Sequence, residues 1–166
     1  IEAVTGVQTC ALPISMKLLL STVKTECFDS KLALKNMYNV VENAPLEVTL
    51  REFESCEPDQ RIYEELLDEK YSILYFHADE INESKIAHIC EMIKKAIPSC
   101  ITVVGGKEVS FETREFMLAH PEVDYVFRGE GEKVLFDFVR SIITYNFDFE
   151  SIDGLAYREN DEILVN

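Results

Sequence analysis

Between residues 17 and 144 the chain alternates five times between a short apolar run of strand length and a longer stretch with apolar residues at helical spacing. The runs at 17–21 (KLLLS), 47–53 (EVTLREF), 72–76 (SILYF), 101–104 (ITVV) and 125–127 (YVF) read as strands. Those at 32–41, 59–68, 82–96, 113–119 and 133–144 read as helices. In 82–96, Ile86, Ile89 and Ile93 form one stripe, Lys94 and Lys95 sit late where they suit the helix dipole, and Pro98 closes the pattern. Parallel strands need a crossover, and right-handed crossovers put helices on both faces of the sheet. The expected fold class is therefore α/β: a flavodoxin-like (Rossmann-like) three-layer sandwich with a five-stranded parallel sheet of order 2-1-3-4-5. Residues 155–158 and 162–165 flank Glu159-Asn160-Asp161 and predict a C-terminal β-hairpin.

A length of 166 residues, 47% of them hydrophobic, suits one domain with a substantial core. The formal net charge of -15 opposes a phosphate backbone and an anionic lipid surface alike, so neither nucleic acid nor membrane is an expected partner. No run approaches the roughly 20 apolar residues of a membrane helix. Five cysteines, at 10, 27, 56, 90 and 100, form an odd set without a C-x-x-C pair. That usage fits a reducing, cytoplasmic setting and suggests neither a disulfide framework nor a metal site, Cys90 and Cys100 reading as core residues. Residues 1–15 carry no helical or strand period, and VTGVQTCALPI within them resembles a translated sequencing adaptor. They are expected to be a non-native leader, with Met16 the true start.

In sheets of this kind ligands lie outside the carboxyl ends of the strands, at the switch point where strand order reverses. The loops expected there are 22–29, 77–81, 105–110 and 128–132. They make Thr22, Val23, His77, Ala78, Asp79, Gly105, Gly106, Lys107, Glu108, Arg128, Gly129, Glu130, Gly131 and Glu132 the candidate cofactor-binding residues. Gly105 and Gly106 lack a Cβ and let backbone approach a flat or phosphorylated ligand, although a Gly-Gly after a strand also serves as a plain turn. Glu132 suits a first helical turn, while Glu130 reads either as a ligand-facing or as a solvated acid. His77 could ligate a metal or bond to backbone in its loop.

Three segments in order, V-V-G-G-K-E-V-S-F-E at 103–112, V-D-Y-V-F-R-G-E-G-E at 123–132 and I-D-G-L-A-Y-R-E-N-D-E-I-L-V-N at 152–166, resemble the N-terminal cobalamin (B12)-binding module of radical S-adenosylmethionine proteins. The resemblance covers nearly all of 16–166. It implies a cobalamin-binding α/β domain over 16–146, with cobalamin held at the carboxyl ends of the strands and the double glycine near its nucleotide tail. It also implies a hairpin linker over 147–166 toward a radical SAM barrel in cis, where a 4Fe-4S cluster and S-adenosylmethionine would bind. Lys107 stands where the family often has Pro, and Tyr75-Phe76-His77 where it commonly has Gly-x-Ser. The family's D-x-H-x-x-G histidine signature is absent from the loop after the first strand.

The C-x-x-x-C-x-x-C spacing that holds such a cluster does not occur, nor does a P-loop, so no catalytic residue and no metal site is assigned to this chain. Two other readings stand beside the cofactor module. One is a degenerate module that keeps the fold and binds no corrin, with Tyr75 filling the space a macrocycle needs. The other is a flavodoxin-like nucleotide-binding or regulatory domain, against which stands the lack of an Asp ending a central strand.

Overall fold

The computed structural model describes residues 15–26 and 30–166. The expected leader up to residue 14, and positions 27–29 of the first rim loop, lie outside the described residues. The elements run β1 (Lys17–Val23), α1 (Ser30–Val41), β2 (Glu47–Phe53), α2 (Asp59–Glu69), β3 (Ile73–His77), α3 (Glu83–Ala96), β4 (Ile101–Gly105), α4 (Lys107–Phe111), α5 (Thr113–Ala119), β5 (Tyr125–Phe127), α6 (Gly131–Ile143), β6 (Leu155–Glu159) and β7 (Glu162–Val165). The sheet order is β2-β1-β3-β4-β5-β6-β7. The first five strands are parallel and follow the expected 2-1-3-4-5 order, so the flavodoxin-like class holds.

The hairpin is no loose appendage. β6 pairs antiparallel with β5, Val126 opposite Ala156, and β7 pairs with β6, which widens one sheet from five strands to seven. Its turn is Asn160-Asp161, with φ of 49° and 66°. Two successive left-handed residues give the twist that tight hairpins favour, and Asn and Asp tolerate that region best.

Successive side chains of a strand point to opposite faces, so each central strand feeds two cores. Leu19, Leu74, Phe76, Val104 and Val126 pack under α2, α3 and α5 with Ile62, Leu66, Ile86, Ile89, Ile93 and Met117. Leu18, Leu20, Ile73, Tyr75, Val103 and Phe127 pack under α1 and α6 with Leu34, Met37, Leu135 and Phe138. β1 and β3 are buried on both faces, as the middle of a parallel sheet must be, which explains why KLLLSTV and ILYFH read as nearly continuous apolar runs. The edge strand β2 is partly exposed along most of its length and buries only Phe53 fully. Cys90 and Cys100 are buried free thiols in the core, and burial raises both.

Candidate functional site

The chain leaves β1 toward β2 on one side and β3 toward β4 and β5 on the other, so the switch point lies between β1 and β3. The carboxyl ends there are in register, Thr22 opposite His77 and His77 opposite Gly105, with Phe127 the next partner along the row. On the α1/α6 side a cleft of about 450 Å³ opens above this edge. Ala33 and Met37 of α1 form one wall, Gly106, Lys107, Ser110 and Phe111 another, Gly129, Gly131 and Glu132 the third, and Tyr75, His77 and Phe127 the floor. Apolar flat surface thus predominates, with a few polar groups at the rim, a common arrangement for small-molecule sites.

Of the candidates, His77, Gly106, Lys107, Gly129, Gly131 and Glu132 line this cleft. The others stand around it in different roles. Thr22 is buried and donates from Oγ1 to the His77 carbonyl at 2.7 Å. Val23 offers its carbonyl to Asn82 Nδ2 at 2.8 Å. Asn82 in turn accepts from the Asp79 amide at 2.7 Å, while Asp79 Oδ1 accepts from the Ile81 and Asn82 amides at 2.8 and 2.9 Å, and Thr25 donates to Asp79 Oδ2. This network locks the β1 rim to the β3 rim through a buried Asn that the sequence pattern does not single out. Burial works against ionisation of Asp79, but the hydrogen bonds from Thr25, Asn82 and Ile81 outweigh it and hold the carboxyl below its ordinary 3.8.

The double glycine divides its work. Gly106 has φ 130° and ψ 166°, a region open only to glycine, and the Ala78 carbonyl crosses where its Cβ would be. Gly105 has its side-chain space occupied by Tyr75: a Cβ there would stand 2.4 Å from the phenolic oxygen. Tyr75 opposes Val103, and its ring leans along the sheet toward the diagonal neighbour Gly105 while stacking on Phe127 at 5.6 Å. Burial, and secondarily the Glu132 carboxylate, pushes the Tyr75 phenol well above its ordinary range, so it stays protonated.

Arg128 turns away from the cleft and donates from Nη1 to the Asn166 carbonyl at 2.9 Å, pinning the end of β7. Glu130 takes the position before α6 with its side chain exposed, and Glu108 is exposed on α4. Sequence reasoning missed α4 altogether, taking Ser110 only as the end of a rim loop and leaving out Phe111. It also missed Ala33 and Met37, whose only signal was their place on the core-facing stripe of α1. Among the described residues no cluster of His, Cys, Asp and Glu could hold a metal, and no helix is long and apolar enough to cross a membrane.

His77 is the titrating group of the floor. Burial lowers it below its ordinary 6.5, and Asp79 only partly opposes that. The unfolded chain then binds the extra proton first, so the stability gained from a neutral His77 is whole above about pH 6.5 and lost as pH falls below it. Thermal melts from about pH 8 down to about pH 5 are expected to show a falling Tm, and His77→Gln should flatten the upper part of that fall. A slope that survives the substitution would assign the acid sensitivity to other groups.

Proteins of known sequence and structure resemble this chain in family and fold. The family model described as B12 binding domain matches residues 16–139. The anaerobic magnesium-protoporphyrin IX monomethyl ester cyclase of Synechocystis sp. is 24% identical over 79 residues, 48% of this chain and 16% of that protein. The cobalamin-dependent radical SAM methyltransferase TokK of Streptomyces tokunonensis is 26% identical over 77 residues, 46% of this chain and 11% of that protein. The chain thus spans under a fifth of these relatives' length. Among solved structures, the cobalamin-dependent S-adenosylmethionine radical enzyme OxsB superposes with a TM-score of 0.74 at 18% identity, over 92% of this chain and 22% of that one. A CheY-like protein, TadZ from Pseudomonas aeruginosa, gives 0.54 at 12% identity, over 78% of this chain and 94% of that one. Both likenesses describe the fold. With its matched segment running from the first strand into the last long helix and covering most of the chain, this protein belongs to the B12-binding domain family.

Proposed function

We propose that this chain is the cobalamin-binding module of a radical S-adenosylmethionine enzyme, one whose full-length form carries out methyl transfer or a related radical reaction in a barrel joined in cis. The observation that carries the reading is the glycine-bounded cleft at the switch point, partly open above an aromatic floor. The residues present suit the edge of a wide, flat macrocycle. Gly129 has open space where a Cβ would project, and a Cβ on Gly131 would meet the flexible end of Met37 at 3.5 Å and the Tyr75 hydroxyl at 3.9 Å, both ordinary contacts. Neither wall therefore intrudes on a ring resting over the rim. Phe111, Met37 and Ala33 offer apolar contact to ring edges, and His77, Ser110 and Glu132 offer donors and acceptors to a corrin's peripheral amides. Lys107, exposed at the rim, can donate to a carbonyl of those same peripheral amides. When bound, cobalamin would supply the cobalt-carbon bond chemistry of the parent; this chain's own part is to hold, orient and shield it. The cluster and S-adenosylmethionine belong to the barrel in this reading.

Mixing the purified chain with hydroxocobalamin and separating free ligand by gel filtration tests it. The corrin absorbance is expected to travel with the protein at about one per chain, and Gly131→Phe, which pushes a ring into the cleft, is expected to abolish that co-migration while leaving the melt cooperative. Colourless protein from the unsubstituted chain would instead support the degenerate module, for which the phenol at the floor is the one specific argument. A phosphate-handling regulatory domain is disfavoured by the strand ends, which present Val23, His77, Gly105 and Phe127 rather than a carboxylate cluster.

A further inference from the structure

We infer that Tyr75 makes this module indifferent to the nucleotide tail of its corrinoid, so that it takes a corrin ring lacking the tail at least as well as complete cobalamin. The inference rests on the corrinoid reading above and deepens it. A cobalamin has two parts of different shape: a broad macrocycle, and a side arm of phosphate, ribose and a flat bicyclic base. A macrocycle is too wide to pass between a strand and the helix packed on it. Only the side arm is narrow enough, and the place for it on this edge is the hollow beneath Gly105 and Gly131, between the sheet and the α1/α6 layer.

That hollow is filled by the protein. The Tyr75 side chain is 2% exposed, its oxygen would lie 2.4 Å from a Cβ on Gly105 and 3.9 Å from one on Gly131, and its ring is held against Phe127. The ring cannot swing aside cheaply, because Phe127 is itself packed edge-on against Phe138 at 5.3 Å. Gly105 therefore makes room for a phenol and not for a ligand. What remains open is the shelf above, bounded by Gly106, Gly129 and Gly131, which fits ring edges. A nucleotide arm on a ring seated there stays in solvent and adds little to binding.

The test compares hydroxocobalamin with diaquacobinamide, which has the corrin ring and no nucleotide, by isothermal titration of the purified chain. For the unsubstituted chain the two Kd values are expected within about threefold of each other, or with cobinamide the tighter. Tyr75→Phe keeps the bulk and is expected to keep that ratio. Tyr75→Gly empties the hollow and is expected to shift the ratio toward cobalamin by about tenfold or more. A preference of about tenfold for cobalamin in the unsubstituted chain overturns the inference, and needs no variant to fold. If neither ligand binds the unsubstituted chain nor Tyr75→Phe, the corrinoid reading itself has failed, a distinct outcome from binding with the wrong preference.

Discussion

Gly106→Ala is expected to destabilise the domain by about 3–5 kcal/mol, a large part of the roughly 5–15 kcal/mol that holds such a fold together. Two effects add. The backbone at φ 130°, ψ 166° lies where an L-residue pays about 1–3 kcal/mol for conformation alone. The new methyl would also stand 2.1 Å from the Ala78 carbonyl oxygen and 3.2 Å from its carbon, so backbone rather than a side-chain tip must yield. Ala78 has little freedom to do so. Its amide donates to the Gly105 carbonyl at 2.8 Å, and the residues after it are tied through Asp79 and Asn82 to the end of β1. Gly129→Ala separates the two effects, since Gly129 has φ 69° and nothing within contact of an added methyl group. That variant is expected to lose about 1–2 kcal/mol, the left-handed cost by itself. Urea unfolding followed by circular dichroism measures both, and equal losses would show that the approach of Ala78 carries no energy.

Most of the sheet was legible because periodicity and burial say the same thing in a parallel α/β fold. A strand enclosed on both faces must be apolar throughout, as 18–20 and 73–76 are, and the helices between must show a stripe. What sequence could not give was decided across strands. The spacing of Gly105-Gly106 marks a turn, but nothing local tells that a Tyr on the neighbouring strand, diagonally placed, takes the space at Gly105 while a carbonyl takes the space at Gly106. Arg128 reads as a rim residue by position, yet the amide of Arg128 donates to the Gly154 carbonyl at 2.8 Å and its guanidinium follows the chain to Asn166, because β6 adds to β5 there. Residues 105–110 read as a glycine loop, and a single turn of helix forms in their second half because Val109 can bury itself on the core from α4. Each of these features is set by a partner distant in sequence.

The widening of the sheet to seven strands supports the second large effect, Phe138→Ala, with an expected loss of about 4 kcal/mol and a fall in Tm of about 10–15 °C. Phe138 is fully buried on the inward stripe of α6. Its ring lies edge-on to Tyr125 at 4.8 Å and to Phe127 at 5.3 Å, and stacks with Phe149 at 5.9 Å. Phe149 in turn meets Tyr157 of β6 at 5.7 Å. One side chain therefore joins β5, the floor of the cleft and the segment leading into the hairpin. Removing it costs the transfer of a benzyl group, leaves a cavity among aromatic rings that cannot collapse into it, and forfeits several ring-pair contacts of about 0.5–1.5 kcal/mol each. Phe136 on the same helix is 48% exposed, and Phe136→Ala is expected to lose under about 1 kcal/mol. The same shared ring predicts that 147–166 unfold together with the rest. The chain has no Trp, so the melt can be followed by tyrosine emission, which includes Tyr157, and by far-ultraviolet circular dichroism, which reports the helices. The two curves should coincide in the unsubstituted chain. A separate low-temperature step in the tyrosine signal would show that β6 and β7 fold independently and that Phe138 couples nothing.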